Sequence, residues 1–75
     1  MDEAQRAALL SRSWKVEGVV LTGAFVLDIY DRIRRGEEIE HRSSRPVDRA
    51  LQILRRAGLT RYAGGGWRVT SGSPP

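Results

Sequence analysis

Residues 45–70 read RPVDRALQILRRAGLTRYAGGGWRVT, and this stretch decides the fold. Val47, Ala50, Leu51, Leu54 and Ala57 recur at i, i+3, i+4, i+7 and i+10. That spacing puts one apolar stripe on a helix. Pro46 suits the first helical position and pushes Arg45 out of the helical region, as an N-cap requires. Ser44 is the competing cap. Gly58 supplies the stop, and Arg55 and Arg56 lie in the last turn, where the helix dipole favours cations. Beyond it, residues 59–70 (LTRYAGGGWRVT) predict a β-hairpin, with Gly64–Gly66 giving the positive φ angles of a tight turn.

Opposite the apolar stripe of helix 45–57 lie Arg45, Arg49, Gln52 and Arg56, within about 60° of one another at 100° per residue. A major groove of B-DNA admits one helix, and its base edges are read by arginine on guanine and by Gln or Asn on adenine. Four long donors in one stripe fit that task. A helix made soluble by arginine, with no partner, would carry the same residues. Asp48 sits beside the stripe and can pair with Arg45 or Arg49. Arg61, Tyr62 and Arg68 flank the glycine tip, where Gly65 lets backbone approach a phosphate. Trp67 either closes the core or stacks outward, and a domain this small favours the core. Arg42, Ser43 and Ser44 precede the helix, where their N–H and hydroxyl groups suit either a phosphate or simple N-capping.

The segment VDRALQILRRAGLTRYAGGGWRVT resembles the recognition helix and wing of winged helix-turn-helix domains. Such domains often run from a helix ending in "L…LR..GLI.R" through a strand and a glycine-bearing wing to a strand ending in Thr. The resemblance covers about residues 45–70 and implies an α+β fold of three helices and a C-terminal β-hairpin wing. It implies base and phosphate contacts for Arg45, Arg49, Gln52 and Arg56, and backbone-facing wing roles for Gly65 and Arg68. Residues 37–44 depart from the pattern, because they leave little room for a strand, a helix and a turn before helix 45–57. Either helix 22–35 serves as the preceding helix or the second helix has shrunk to one turn.

Upstream, residues 22–35 (TGAFVLDIYDRIRR) predict a helix with Thr22 as N-cap and Gly36 as stop. Phe25, Val26, Ile29, Tyr30 and Ile33 share one side, and Asp28–Arg32 and Asp31–Arg35 are candidate i,i+4 pairs on the other. Residues 2–12 (DEAQRAALLSR) predict a short helix with Asp2 and Glu3 in its first turn and a small-residue face of Ala4, Ala7, Ala8 and Ser11. Residues 14–21 (WKVEGVVL) predict extended chain or one short strand, with Trp14 either a core anchor or a lid. Ile39 is expected to pack inward. Residues 1–70 are expected to form one domain, and residues 71–75 (SGSPP) a disordered tail.

The 75 residues carry a formal net charge of +4, unevenly spread. Residues 1–40 hold six Lys/Arg against eight Asp/Glu, whereas residues 41–75 hold seven arginines against one aspartate. That asymmetry points to a polyanion for the second half. A solvated basic face is the plainer account.

The chain has no cysteine and a single histidine, His41, so neither a disulfide framework nor a recognisable zinc site can be built. No triad spacing appears, and Gly64–Gly66 lead into a strand rather than a helix, which excludes a dinucleotide fingerprint. No enzyme activity, cofactor, metal or small-molecule substrate is therefore expected. No apolar run approaches the ~20 residues of a membrane span. The resulting expectation is a cytoplasmic, nucleoid-associated DNA-binding protein, a small transcriptional regulator whose size and arginine content suit a phage or mobile element. Its partner is double-stranded DNA. One module offers an interface below about 1,000 Å², so a homodimer or larger assembly is expected for tight binding. The alternative is a protein-interaction module or inhibitor on the same fold.

Overall fold

The computed structural model describes residues 1–39 and 45–70. Seven elements follow in order: α1 (Glu3–Leu10), β1 (Ser13–Val16), β2 (Val19–Thr22), α2 (Gly23–Arg34), α3 (Arg45–Arg56), β3 (Thr60–Ala63) and β4 (Gly66–Val69). Among the described residues the architecture is α+β, with three helices and two antiparallel strand pairs.

α2 is the central beam. Thr22 caps it by accepting from the Phe25 N–H at 3.2 Å. Its C-terminus closes with a pair of reversed bonds, Gly36 N–H to Ile33 carbonyl and Glu37 N–H to Arg32 carbonyl, both 3.0 Å. Gly36 takes φ 85° there, a conformation that favours glycine. Val26, Ile29, Tyr30 and Ile33 are buried, and Phe25 is half-buried against them. This is the stripe that the apolar spacing predicts. Leu21 from β2 and Ala50, Leu51 and Leu54 from α3 complete the core.

α1 docks on a second side of α2. Asp2 caps it by accepting from the Gln5 N–H at 2.7 Å. Leu9 is buried, but Ala4, Ala7 and Ala8 are exposed, so the small-residue face is not the docking face. Docking uses Leu9 and a bidentate ion pair instead. Arg6 donates through Nη1 to Asp31 Oδ1 at 3.1 Å and through Nη2 to Asp31 Oδ2 at 2.5 Å. Asp31 is thus not paired with Arg35, whose Nη2 lies 2.9 Å from Glu37 Oε2. The Asp28–Arg32 pair does form, at 3.2 Å. Leu27 shares the Asp31 side of α2 and is buried.

Residues 13–22 form a whole hairpin rather than one strand. Val16 pairs with Val19, leaving Glu17 and Gly18 as a two-residue turn with φ 49° and 82°. Two positive φ values are the signature of a type I′ turn, which matches strand twist. Leu21 is buried and Trp14 half-buried against the core, with the Arg12 guanidinium 5.1 Å from the Trp14 ring centroid. At the hairpin base the Gly23 N–H donates to the Arg12 carbonyl at 2.8 Å. A Cβ at Gly23 would lie 2.1 Å from the Leu9 carbonyl oxygen, so only glycine fits between α1 and α2.

α3 ends as α2 does, with Gly58 N–H to Arg55 carbonyl and Leu59 N–H to Leu54 carbonyl, both 3.0 Å. Gly58 has φ 76°. The β3–β4 hairpin then turns through Gly64 and Gly65 at φ 62° and 80°. Thr70 ties its base to the helix end, donating from its hydroxyl to the Gly58 carbonyl at 2.7 Å and from its N–H to the Leu59 carbonyl at 3.0 Å. Ile39 is half-buried against the core, and residues 37–39 belong to no strand. Among the described residues no helix is long and apolar enough to cross a membrane.

Candidate nucleic-acid interface

The interface begins with the two sides of α3. Ala50, Leu51 and Leu54 are buried at 0%, 0% and 1% exposure, with Val47 half-buried beside them. Ala57 follows the helix and is exposed. At 100° per residue the direction opposite this buried side falls among Arg45, Gln52 and Arg56. Arg45 and Arg56 are exposed and Gln52 is partly so. Among the described residues none of the three has a hydrogen-bond or ion-pair partner. The outward donor stripe is therefore present at these three positions.

Arg49 is a different case. Its side chain is 24% exposed. Nη1 donates to Asp48 Oδ2 at 2.9 Å, and Nη2 pairs with the Glu17 carboxylate at the tip of the first hairpin. Its Nε is buried without an acceptor. The helix spacing groups Arg49 with the outward stripe, but its side chain is mostly covered and a carboxylate 32 residues upstream shares its charge.

On the second hairpin the register places Arg61 opposite Arg68 and Tyr62 opposite Trp67. Side chains alternate between the faces of a strand. Arg61 and Arg68 therefore share the outer face, and both are exposed. Tyr62 and Trp67 share the other face with buried Thr60. Their rings meet edge to face, centroids 5.5 Å apart at 73°. Trp67 packs partly against the core, while Tyr62 is 48% exposed. Tyr62 and the two arginines thus point to opposite sides, and the structure does not gather all three on one surface. Instead Tyr62 and Trp67 line a cleft of about 310 Å³ with Gly36–Ile39 and Gly64–Arg68. The tip at Gly65 is open, with nothing within 4 Å of where a Cβ would stand. Arg42, Ser43 and Ser44 lie outside the described residues, as does His41.

No family model, curated protein or solved structure matches this chain. What it can bind is therefore read from its own chemistry. Seven arginines (12, 34, 45, 55, 56, 61 and 68) have no carboxylate within ion-pairing distance among the described residues, whereas Arg6, Arg32, Arg35 and Arg49 are each paired. Five of the seven lie on α3 and the hairpin that follows it, with Arg12 before β1 and Arg34 at the end of α2. Unneutralised guanidinium groups of this density attract a polyanion, and arginine suits phosphate and guanine because its fork engages two acceptors at once. Glu17 is the residue that the sequence reading missed. No local spacing links it to α3, and only its place before Gly18 hinted at a turn.

Proposed function

We propose that this chain is a DNA-binding domain of the winged helix-turn-helix type, acting as a small transcriptional regulator. α2 serves as the supporting helix, α3 enters the major groove, and the β3–β4 hairpin is the wing against the adjacent backbone. The observation that carries this reading is the partition of α3: Ala50, Leu51 and Leu54 buried on one side, and on the other the side chains of Arg45, Gln52 and Arg56, without a partner among the described residues. A helix in this state has donors ready for base edges and phosphates at no cost of broken ion pairs.

Besides the connection between α2 and α3, the fold departs from the pattern in its first hairpin. A complete β1–β2 hairpin stands where the sequence predicts extended chain or one short strand, and its tip reaches α3 through Glu17. The departure modifies the recognition surface without closing it.

The test is a salt titration with duplexes selected from a random pool and with random duplex. About five phosphate contacts give a slope of log K against log salt near −4 to −5. Gln52→Ala should weaken selected duplexes by about 1–3 kcal/mol and relax base preference, because its bidentate contact reads a base. Absence of binding to any duplex at about 50 mM salt would discard the DNA reading and leave an acidic protein surface as the partner of the arginines.

A further inference from the structure

An arginine carries five N–H donors. In Arg49 the Nε is buried, one terminal nitrogen donates to Asp48, and the other is paired with Glu17. One N–H on each terminal nitrogen remains. Two such donors can serve two adjacent acceptors, the pattern that guanine O6 and N7 present in the major groove. The Arg49 side chain as a whole is 24% exposed.

Glu17 is an unusual residue for its place. It is the non-glycine residue with positive φ among those described, and left-handed backbone favours glycine and asparagine. The turn alone would be better served by either. Its side chain, 65% exposed, reaches from the hairpin tip to α3. What this position uses is therefore the carboxylate.

We propose that Glu17 is a specificity-determining positioning residue, which holds the Arg49 guanidinium in one orientation for a guanine and offsets its charge against random phosphates. An unrestrained arginine swings to the nearest phosphate and strengthens binding to every sequence. A restrained one gains only where two acceptors meet its fork. The partner in this assignment rests on the DNA-binding reading above.

The experiment compares Glu17→Asn with Glu3→Gln, which makes the same charge change at the start of α1. Asparagine tolerates the left-handed turn, so the variant keeps its fold. On immobilised heparin, Glu17→Asn should elute at higher salt than Glu3→Gln, and adding Arg49→Ala should abolish the difference. On DNA, Glu17→Asn should bind random duplex about two- to tenfold more tightly than Glu3→Gln, with a salt slope steeper by about one. The ratio of selected to random affinity should fall. Co-elution of the two variants from heparin would overturn the Glu17 assignment and leave the DNA reading standing, as would an unchanged ratio on duplexes that bind. Separation on heparin without duplex binding by the parent chain would support restraint of Arg49 by Glu17 and overturn the DNA reading alone.

Discussion

Arg61 and Arg68 stand directly across the second hairpin from each other, on its outer face, with no carboxylate between them. Like charges at opposed cross-strand positions destabilise a hairpin by a few tenths of a kcal/mol to about 1 kcal/mol. The free domain carries this repulsion, and a phosphate between the two would relieve it. Arg68→Glu should therefore raise the thermal midpoint by about 2–5 °C by creating an opposite-charge pair. The same variant should weaken selected and random duplexes alike. A calorimetric midpoint that falls, or a loss confined to selected duplexes, would contradict this account.

Gly23 fixes how closely α1 approaches α2. Gly23→Ala places a methyl group 2.1 Å from the Leu9 carbonyl oxygen and 2.7 Å from that of Leu10. Both obstacles are backbone and cannot rotate away. Overpacking of this kind costs about 1–3 kcal/mol or more. Urea unfolding should show a midpoint lowered to match, and a neutral result would mean that α1 is not held where it is described.

Leu51 is fully buried where α3 meets α2. Leu51→Ala should cost about 2–5 kcal/mol, a large part of the ~5–15 kcal/mol that a domain possesses. Equilibrium unfolding should find a chain that is barely folded at 37 °C. A loss under about 1 kcal/mol would show that α3 packs less tightly than its burial implies.

Asp31 gives the fold a pH dependence. The hydrogen bond from Arg6 holds its carboxyl below the ordinary value of 3.8, burial opposes that effect, and the charge of Arg6 adds to the lowering. A lowered carboxyl contributes stability that is present above the ordinary value and lost as pH falls through the lowered one. Asp31→Asn should thus melt several degrees below the parent at pH 7. The two curves should converge as pH falls below the ordinary carboxyl value of 3.8. A gap that persists undiminished at the acid end would assign the loss to packing rather than charge.

Much of this arrangement was legible before any coordinates. Helices α2 and α3 combine a 3.6-residue apolar period with terminal signals at Thr22, Gly36 and Gly58, and each acts over one or two turns. The second hairpin was legible because three consecutive glycines admit the required turn. The first hairpin was half hidden, since its turn places a glutamate in a conformation usually signalled by asparagine or glycine. The pairing of charges was the least legible feature. Spacing along a helix suggested Asp31 with Arg35, but Arg6, 25 residues away, supplies a bidentate partner from α1. The same limit concealed Glu17 beside Arg49. Spacing along one helix cannot rank a neighbour that tertiary folding brings in. Strand alternation, in turn, separates Tyr62 from Arg61, although a linear reading groups them.

The bond from Gly23 to the Arg12 carbonyl brings the two ends of residues 13–22 together. That decapeptide is consequently a closed excursion from the helical body, anchored by Leu21 and free to vary at its far end. Exchanging the turn, or lengthening it by a few residues, changes what is presented to α3 while the three helices stay as they are. The domain thereby holds an adjustable finger beside a fixed helix, and on the proposed DNA-binding reading preference for a nucleotide sequence can drift through the finger alone.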